Sequence, residues 1–400
     1  MSSIPTETVG LSPSQKAVRE SIESICEPYD DSYWQECDSE AEYPQEFVDD
    51  IAADGWLGIL IPEEYGGLGM GTAETVVMLE TIARTGGFAG AQAVHGGIYN
   101  SVPIVEYASE ELKERLLPSI ADGSTSIQAF GLTEAGPGSD STSIETSAIL
   151  DGEEYVIEGQ KRWTSRLDVS DFMLLMTRTT PKADVEKRTR GISMFLVEVE
   201  PAIESGAIEL TPMSKSASRA VHSYELDIEG LRIPADQLVG EKGQGFYQVL
   251  DGLNEERLVI AAECVGLGEL AVDRGVSYAQ EREVFDGPIG AHQSIQHPLA
   301  DAYARVQAAK AMTYNAAATS GEEDQRQDGA NANMAKYLAS EAAFTAADAA
   351  VQTHGGLGIS PDHHVERYLR EARLTRLVPI TQQLILNFLG EKVLELPRSY

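Results

Sequence analysis

Four hundred residues, 42% of them hydrophobic, are enough for two or three domains around a sizeable core. A net charge of −34, from 64 acidic against 30 basic residues, argues against a nucleic-acid partner, whose phosphates would be repelled. No apolar run is long enough for a bilayer, and Met1–Gln15 lacks the basic and apolar regions of a secretory signal, so a cytoplasmic protein without membrane insertion is expected.

From Ser12 to about Ser119 the pattern is helical. Ser12 can cap, and Pro13 suits a first helical turn. Phe47, Val48 and Ile51 share one face of a helix that Gly55–Gly58 ends. Ile59–Pro62 reads as a buried extended segment before a glycine-rich turn, and helices follow over Thr72–Thr85 and Glu110–Ile120. From Gln128 to about Leu238 the period changes to two. Glu154–Gly159, Asp171–Thr177, Ile192–Val197 and Ser223–Ile228 are predicted strands, with turns at Asp151-Gly152, Glu229-Gly230 and Pro234. Short strands with such turns suggest a small antiparallel barrel or sandwich. From Gly243 long helices return. Phe246, Val249, Leu250, Leu253, Ile260 and Ala261 recur at three- and four-residue steps, and Gln293–Ser320, Asn331–Thr353 and Thr381–Leu394 follow the same style, with Glu322–Gly329 as a polar loop. The expected class is α+β: a helical domain over 1–126, a β domain over 127–238 and a helical bundle over 239–400. Cys26, Cys37 and Cys264 lack paired spacing and His363-His364 lacks a second ligand cluster, so neither disulfide nor metal is expected.

Two stretches carry the chemistry. In Phe130-Gly131-Leu132-Thr133-Glu134-Ala135-Gly136-Pro137-Gly138-Ser139-Asp140, the hydroxyls of Thr133 and Ser139 bracket two glycines, so backbone N–H groups can approach a ligand that no side chain blocks. Lys161-Arg162-Trp163-Thr164-Ser165 adds a flat aromatic and two hydroxyls. Thr-Glu-x-Gly-x-Gly-Ser-Asp followed by Gly159-Gln160-Lys161-Arg162-Trp163 resembles the signature of the acyl-CoA dehydrogenase family, whose members hold the isoalloxazine ring and pyrophosphate of FAD there. The layout of helices, strands and long helices resembles that family over essentially the whole chain. It implies the family fold, with an N-terminal α-helical domain, a middle antiparallel β-barrel or sandwich and a C-terminal four-helix bundle.

The resemblance implies FAD contacts at Phe130, Leu132, Thr133, Gly138 and Ser139, with Trp163 and Ser165. Gln280–Phe285 with His292-Gln293 resembles the segment that reaches the FAD of a neighbouring subunit, which implies roles for Arg282, Phe285 and Gln293. The fork of Arg282 suits a pyrophosphate; the alternative is an ion pair with Glu281 or Asp286. Gln352-Thr353-His354-Gly355-Gly356-Leu357-Gly358 matches another cofactor segment, implying contacts at Gln352, Gly355 and Gly356; no strand precedes it, so it is no Rossmann fingerprint. Sharing FAD between subunits implies at least a dimer, and the family is usually a homotetramer built as a pair of dimers. The implied reaction turns an acyl-CoA thioester into a trans-2-enoyl product. A base takes the Cα proton, flavin N5 accepts a hydride from Cβ, and donors hold the thioester oxygen. Electron-transfer flavoprotein is the implied electron acceptor.

One position departs from the family. Many members take the base from the Glu of a Tyr-Glu-Gly-Thr run, and ungapped alignment of Arg370–Thr381 puts Pro379 there, with neither carboxylate nor N–H. Thr381 and Gln383 still match the adjacent FAD contacts, and the N–H of Ile380 can serve the carbonyl instead. Isovaleryl- and long-chain-type members carry a Glu just before an Arg on the first long C-terminal helix, where this chain has Leu253-Asn254-Glu255-Glu256-Arg257. Glu256 lies in register with Leu253, Val249 and Ile260 and so projects from the apolar stripe, whereas Glu255 points roughly 100° away. A carboxylate on a buried face is costly unless paired or used, which makes Glu256 the candidate base; a structural salt bridge is the alternative. Ser139, Asn254 and Arg257 match family contacts to the CoA substrate. A base on this helix leans toward branched or longer acyl groups, of the kind met in fatty-acid or branched-chain amino-acid breakdown. Pro379 favours the rivals: a non-catalytic FAD- and acyl-CoA-binding protein, or an oxidase or lyase on the same fold. The acidity suits a halophilic protein, since concentrated salt screens like charges over about 3 Å at 1 M.

Overall fold

Residues 9–321 and 325–398 are described by a computed structural model, in which Ser12 and Gln15 exchange side-chain and backbone hydrogen bonds as a capping box at the start of α1 (Pro13–Cys26). Next come α2 (Asp31–Glu40) and α3 (Gln45–Ala53), which buries Phe47, Val48 and Ile51 as its periodicity requires. Ile59 and Ile61 are buried as expected, but residues 59–62 form turns rather than an extended segment. The next helix, α4 (Thr72–Tyr107), is two helices end to end, because Gly87 takes φ 74°. The predicted Thr72–Thr85 helix is its first half. The freed backbone groups at the break are satisfied by the buried Arg367–Glu371 pair: Phe88 N donates to Glu371 at 2.8 Å and Arg367 donates to the Gly86 carbonyl at 2.9 Å. After it comes α5 (Glu110–Ala121).

The middle of the chain supplies β1 (Ala129–Gly131), β2 (Ser147–Asp151), β3 (Glu154–Ser165), β4 (Phe172–Arg178), β5 (Ile192–Glu198), α6 (Val199–Glu204), β6 (Ile208–Pro212), β7 (Ser223–Pro234) and β8 (Leu238–Val239). They form one sheet in the order β6-β7-β3-β2-β4-β5-β8, with β1 on β4. Most pairings are antiparallel as expected, but β4 takes β1 and β2 in parallel. Glu229-Gly230 is not a turn. It lies inside β7 as a bulge, with Gly230 at φ 64° and the register slipping between Ile157 and Gly159 of β3. Alternate residues of β4 belong to two different cores, so β4 is buried on both faces. Met173 and Leu175 meet Ile157, Leu226 and Ile228, while Leu174 and Met176 meet Leu112 and Leu116 of α5.

The helices that follow are α7 (Gly245–Glu281), α8 (Gln293–Ala318), α9 (Gln325–His354), α10 (Val365–Thr375) and α11 (Gln382–Phe388). The expected four long helices are three long ones and the shorter α10, with α11 beyond. Of the expected loop over 322–329, residues 322–324 lie outside the described residues and the rest opens α9. One apolar core runs from α1 and α4 into α7, α8 and α9. Close approach of α7 to α4 needs Gly266, where a Cβ would come within 2.3 Å of the Glu80 carbonyl oxygen. No described helix is long and apolar enough to cross a membrane.

Candidate active site

The glycine-rich segment after β1 is held from below by Glu134, the Glu of the Thr-Glu-x-Gly run, to which sequence reasoning gave no role. Its buried carboxylate accepts from Thr146 Oγ1 at 2.6 Å, from the amides of Glu145 and Thr146, and from Lys161 Nζ at 2.8 Å. Burial would raise this carboxyl, but Lys161 and the other donors bring it below the ordinary range. Lys161 is itself pushed down to about 8 by burial, against the pull of Glu134. With the anchor fixed, Gly138 and Ser139 stay exposed while Phe130, Leu132 and Thr133 are half-buried. A Cβ on Gly136 or Gly138 would meet nothing within 4 Å, so backbone lies open to a ligand there.

On β3 the register against β7 slips again between Lys161 and Thr164, and Trp163 takes φ 63°. The bulge turns the indole out of the sheet, leaving Trp163 52% exposed. Ser165 Oγ lies 2.8 Å from Ser223 Oγ, and Arg166 bonds the carbonyls of Gln92 and Gln128. Gly96 of α4 is required here, since a Cβ would sit 2.6 Å from Arg166 Nε and from the Gln128 oxygen. The end of β3 is thereby locked against α4, two residues before Phe130.

In the same seam, α7 presents Glu256. Its side chain is 24% exposed, and Oε1 lies 3.7 Å from Nε2 of His95 on α4. Nδ1 of His95 lies 2.8 Å from Glu263 Oε1, and both residues are buried. Burial lowers the imidazole, yet Glu263 and then Glu256 overcome it and push His95 up to about 9. Glu255 is also half-buried, and burial raises its carboxyl despite the Thr72 hydroxyl. Asn254 Oδ1 accepts from Arg257 at 2.8 Å, one turn apart on α7.

Pro379 is exposed, and the segment around it is tied by Lys336, a wholly buried cation on α9. Its Nζ donates to the carbonyls of Thr375 at 2.8 Å and Ile380 at 3.0 Å. Burial lowers Lys336 to about 8, and Arg257 adds repulsion. The N–H of Ile380 has no partner among the described residues. Thr381 caps α11 by accepting from Leu384 N, and Gln383 is exposed.

A separate groove of about 530 Å³ lies at the far end of α7, lined by Tyr278, Arg282, His292, His354, Gly355 and Gly356. The two segments singled out by the sequence meet in it. Arg282 is exposed and forms no ion pair among the described residues, so the alternative pairing with Glu281 or Asp286 is not made. Gln293 and Gln352 are exposed nearby in sequence, and Phe285 is 91% exposed.

Three family models cover the chain: the acyl-CoA dehydrogenase N-terminal domain over residues 12–124, the middle domain over 129–230 and the C-terminal domain over 243–394. The chain belongs to the acyl-CoA dehydrogenase family. It is 35% identical over 386 residues to acyl-CoA dehydrogenase FadE12 of Mycobacterium tuberculosis, covering 96% of this chain and 97% of that protein. It is 32% identical over 371 residues to the 3-(aryl)acrylate reductase of Clostridium sporogenes, covering 92% of this chain and 94% of that protein. The butyryl-CoA dehydrogenase structure from Megasphaera elsdenii superposes with a TM-score of 0.89 at 26% identity, over 96% of this chain and 99% of that one.

As a member of this family the chain is an oxidoreductase acting on CH–CH donors, and FAD is its cofactor. The residues present fit that group. An unpaired Arg282 fork beside open glycines suits a pyrophosphate, and an outward indole beside bare backbone at Gly136 and Gly138 suits a flat ring system. Sequence reasoning missed Glu134, His95, Glu263 and Lys336. Two carried a signal: Glu134 is a fixed position of the Thr-Glu-x-Gly motif, and His95 has three- and four-residue spacing from Gln92 and Tyr99.

Proposed function

We propose that the chain catalyses α,β-dehydrogenation of an acyl-CoA to the trans-2-enoyl-CoA, with Glu256 as the base. The observation that carries this reading is the half-buried Glu256 carboxylate in the α4–α7 seam, which the Arg166 and Gly96 contacts join to the end of β3 bearing Trp163 and Ser165. Glu256 takes the Cα proton. The unpartnered N–H of Ile380, braced by Lys336, donates to the thioester oxygen as charge develops there. Bound FAD would supply the acceptor for the hydride from Cβ. Phe130, Leu132, Thr133, Gly138, Ser139, Trp163, Ser165, Thr381 and Gln383 would hold it from one chain, and Ser139, Asn254 and Arg257 would flank the CoA.

Arg282 lies 26 residues beyond Glu256, about 39 Å along α7, which is farther than one dinucleotide spans. The groove of Arg282, Gly355 and Gly356 therefore serves the FAD of a second copy, with Gln293 and Gln352 beside its lining residues in sequence and the exposed Phe285 at the contact. This supports at least a dimer, and the homotetramer of paired dimers usual in the family is the assembly proposed, each chain divided at 1–126, 127–238 and 239–400. Electron-transfer flavoprotein is the acceptor in this reading, and a cytoplasmic location follows it. Pro379 supports a second reading, a non-catalytic or lyase-type relative. Anaerobic titration with a panel of straight and branched acyl-CoAs decides between them. Bleaching of the flavin band by one class supports the dehydrogenase and names its substrates, whereas a spectral shift without bleaching favours the second reading. Glu256→Gln should retain FAD and lose substrate-driven bleaching by roughly a thousandfold or more. Reduction at the parent's rate would overturn the base assignment.

A further inference from the structure

Behind the candidate base lies a buried polar chain that the dehydrogenation scheme leaves unused. Glu256 and Glu263 stand seven residues apart, two turns along one face of α7, and bracket the ring of His95 on α4. Glu263 is wholly buried, and a carboxylate without a partner is not tolerated there. Its Oε1 meets His95 Nδ1 at 2.8 Å, and its Oε2 accepts from Gln92 Nε2 at 2.8 Å. The Gln92 carbonyl in turn accepts from Arg166 at 2.9 Å. A second wall is Tyr99, whose ring stacks on His95 at 5.1 Å and 23°. The groups against the imidazole are thus Glu256 and Glu263 from α7 and Tyr99 from α4, while Gln92 lies behind Glu263 and Arg166, from the turn after β3, attracts both carboxylates.

With Nδ1–H committed to Glu263, the ring cannot rotate without leaving that carboxylate bare, so Nε2 stays aimed at Glu256. We propose that His95, fixed by Glu263, is a positioning residue that holds the Glu256 carboxylate in place for the α proton. The proposal rests on Glu256 being the base. It assigns His95 no proton transfer with the substrate.

The test compares the FAD-loaded parent with His95→Gln, Glu263→Gln and Glu256→Gln, following flavin reduction by the acyl-CoA that bleaches the parent across a range of pH. His95→Gln should keep its FAD, lose roughly tenfold in reduction rate near neutral pH, and shift the acidic limb of its profile up by about one unit. Glu263→Gln should shift the limb the same way. An unchanged rate and limb in His95→Gln, with Glu256→Gln inactive, would overturn the positioning role and leave the base reading standing. A Glu256→Gln protein as fast as the parent would overturn both. Histidine-selective ¹⁵N NMR gives a readout free of activity, and it decides even if His95→Gln fails to fold. His95 should be an imidazolium at neutral pH in the parent and neutral in Glu263→Gln. A neutral His95 in the parent would overturn the proposal.

Discussion

Two buried cations near the site are both lowered by burial, yet their net shifts have opposite signs because their partners differ. Lys336 has only carbonyl oxygens as close partners, so desolvation lowers it to about 8. His95 faces two carboxylates, which outweigh desolvation and raise it to about 9 from 6.5. The contribution of His95 to stability is therefore fully present below about pH 6.5 and is lost as pH rises through about 9. Its size is on the order of 3 kcal/mol. Lys336 and Lys161, both lowered to about 8, act with the opposite sign: charging them below that value costs stability, and the cost fades as pH rises. A single stability curve mixes these effects, so the difference between parent and His95→Gln isolates the first. Urea unfolding of both proteins should give a gap that is largest near pH 6 and closes towards pH 9. A gap independent of pH would mean that the folded protein holds His95 neutral.

At the scale of elements, the site depends on two breaks in regular structure and one close approach. Gly87 divides α4, the bulge in β3 turns Trp163 outward, and Gly96 lets Arg166 reach the carbonyls of Gln92 and Gln128. The Gln128 carbonyl oxygen is backbone and cannot yield as a flexible side chain would. Gly96→Ala should therefore cost about 1–3 kcal/mol and loosen the joint between β3 and α4. Thermal unfolding checks the first effect, and weaker FAD retention checks the second. Little of this was legible in the sequence. The period of two located β3 and β7 because each alternates buried and exposed residues, β4, β5 and α7 were located by their apolar residues, and the cofactor motifs were found because their glycines and hydroxyls are fixed in spacing. The second half of α4, rich in glycine, has no helical composition; burial between α7 and the sheet makes it a helix. Glu229-Gly230 carries a turn signal that the longer pairing of β3 with β7 converts into a bulge. A tryptophan at positive φ has no signature, so the exposure of Trp163 was beyond any periodicity argument.

Over the whole molecule, the formal charge of −34 sets the response to salt. Screening acts on two opposed contributions. Exposed pairs such as Arg232 with Asp151 and Glu154, or Arg305 with Asp301, weaken as salt rises, but each contributes little to begin with because water already screens it. The buried set of Lys310 with Glu80 and Glu269, at 2.7 and 2.9 Å, is screened far less because water and ions do not reach it. Against these small losses stands repulsion among unpaired surface carboxylates, such as Glu20, Glu27 and Asp49, which are exposed on the N-terminal helices. At about 0.1 M salt these charges sense one another over about 10 Å, and at about 1 M over only about 3 Å. Relief of repulsion should win. The melting temperature is expected to rise by several degrees or more between those concentrations, in potassium chloride as in sodium chloride, with FAD retention rising in parallel. A melting temperature that falls or stays level would mean that the exposed pairs outweigh the excess charge, and the halophilic reading of the composition would fail.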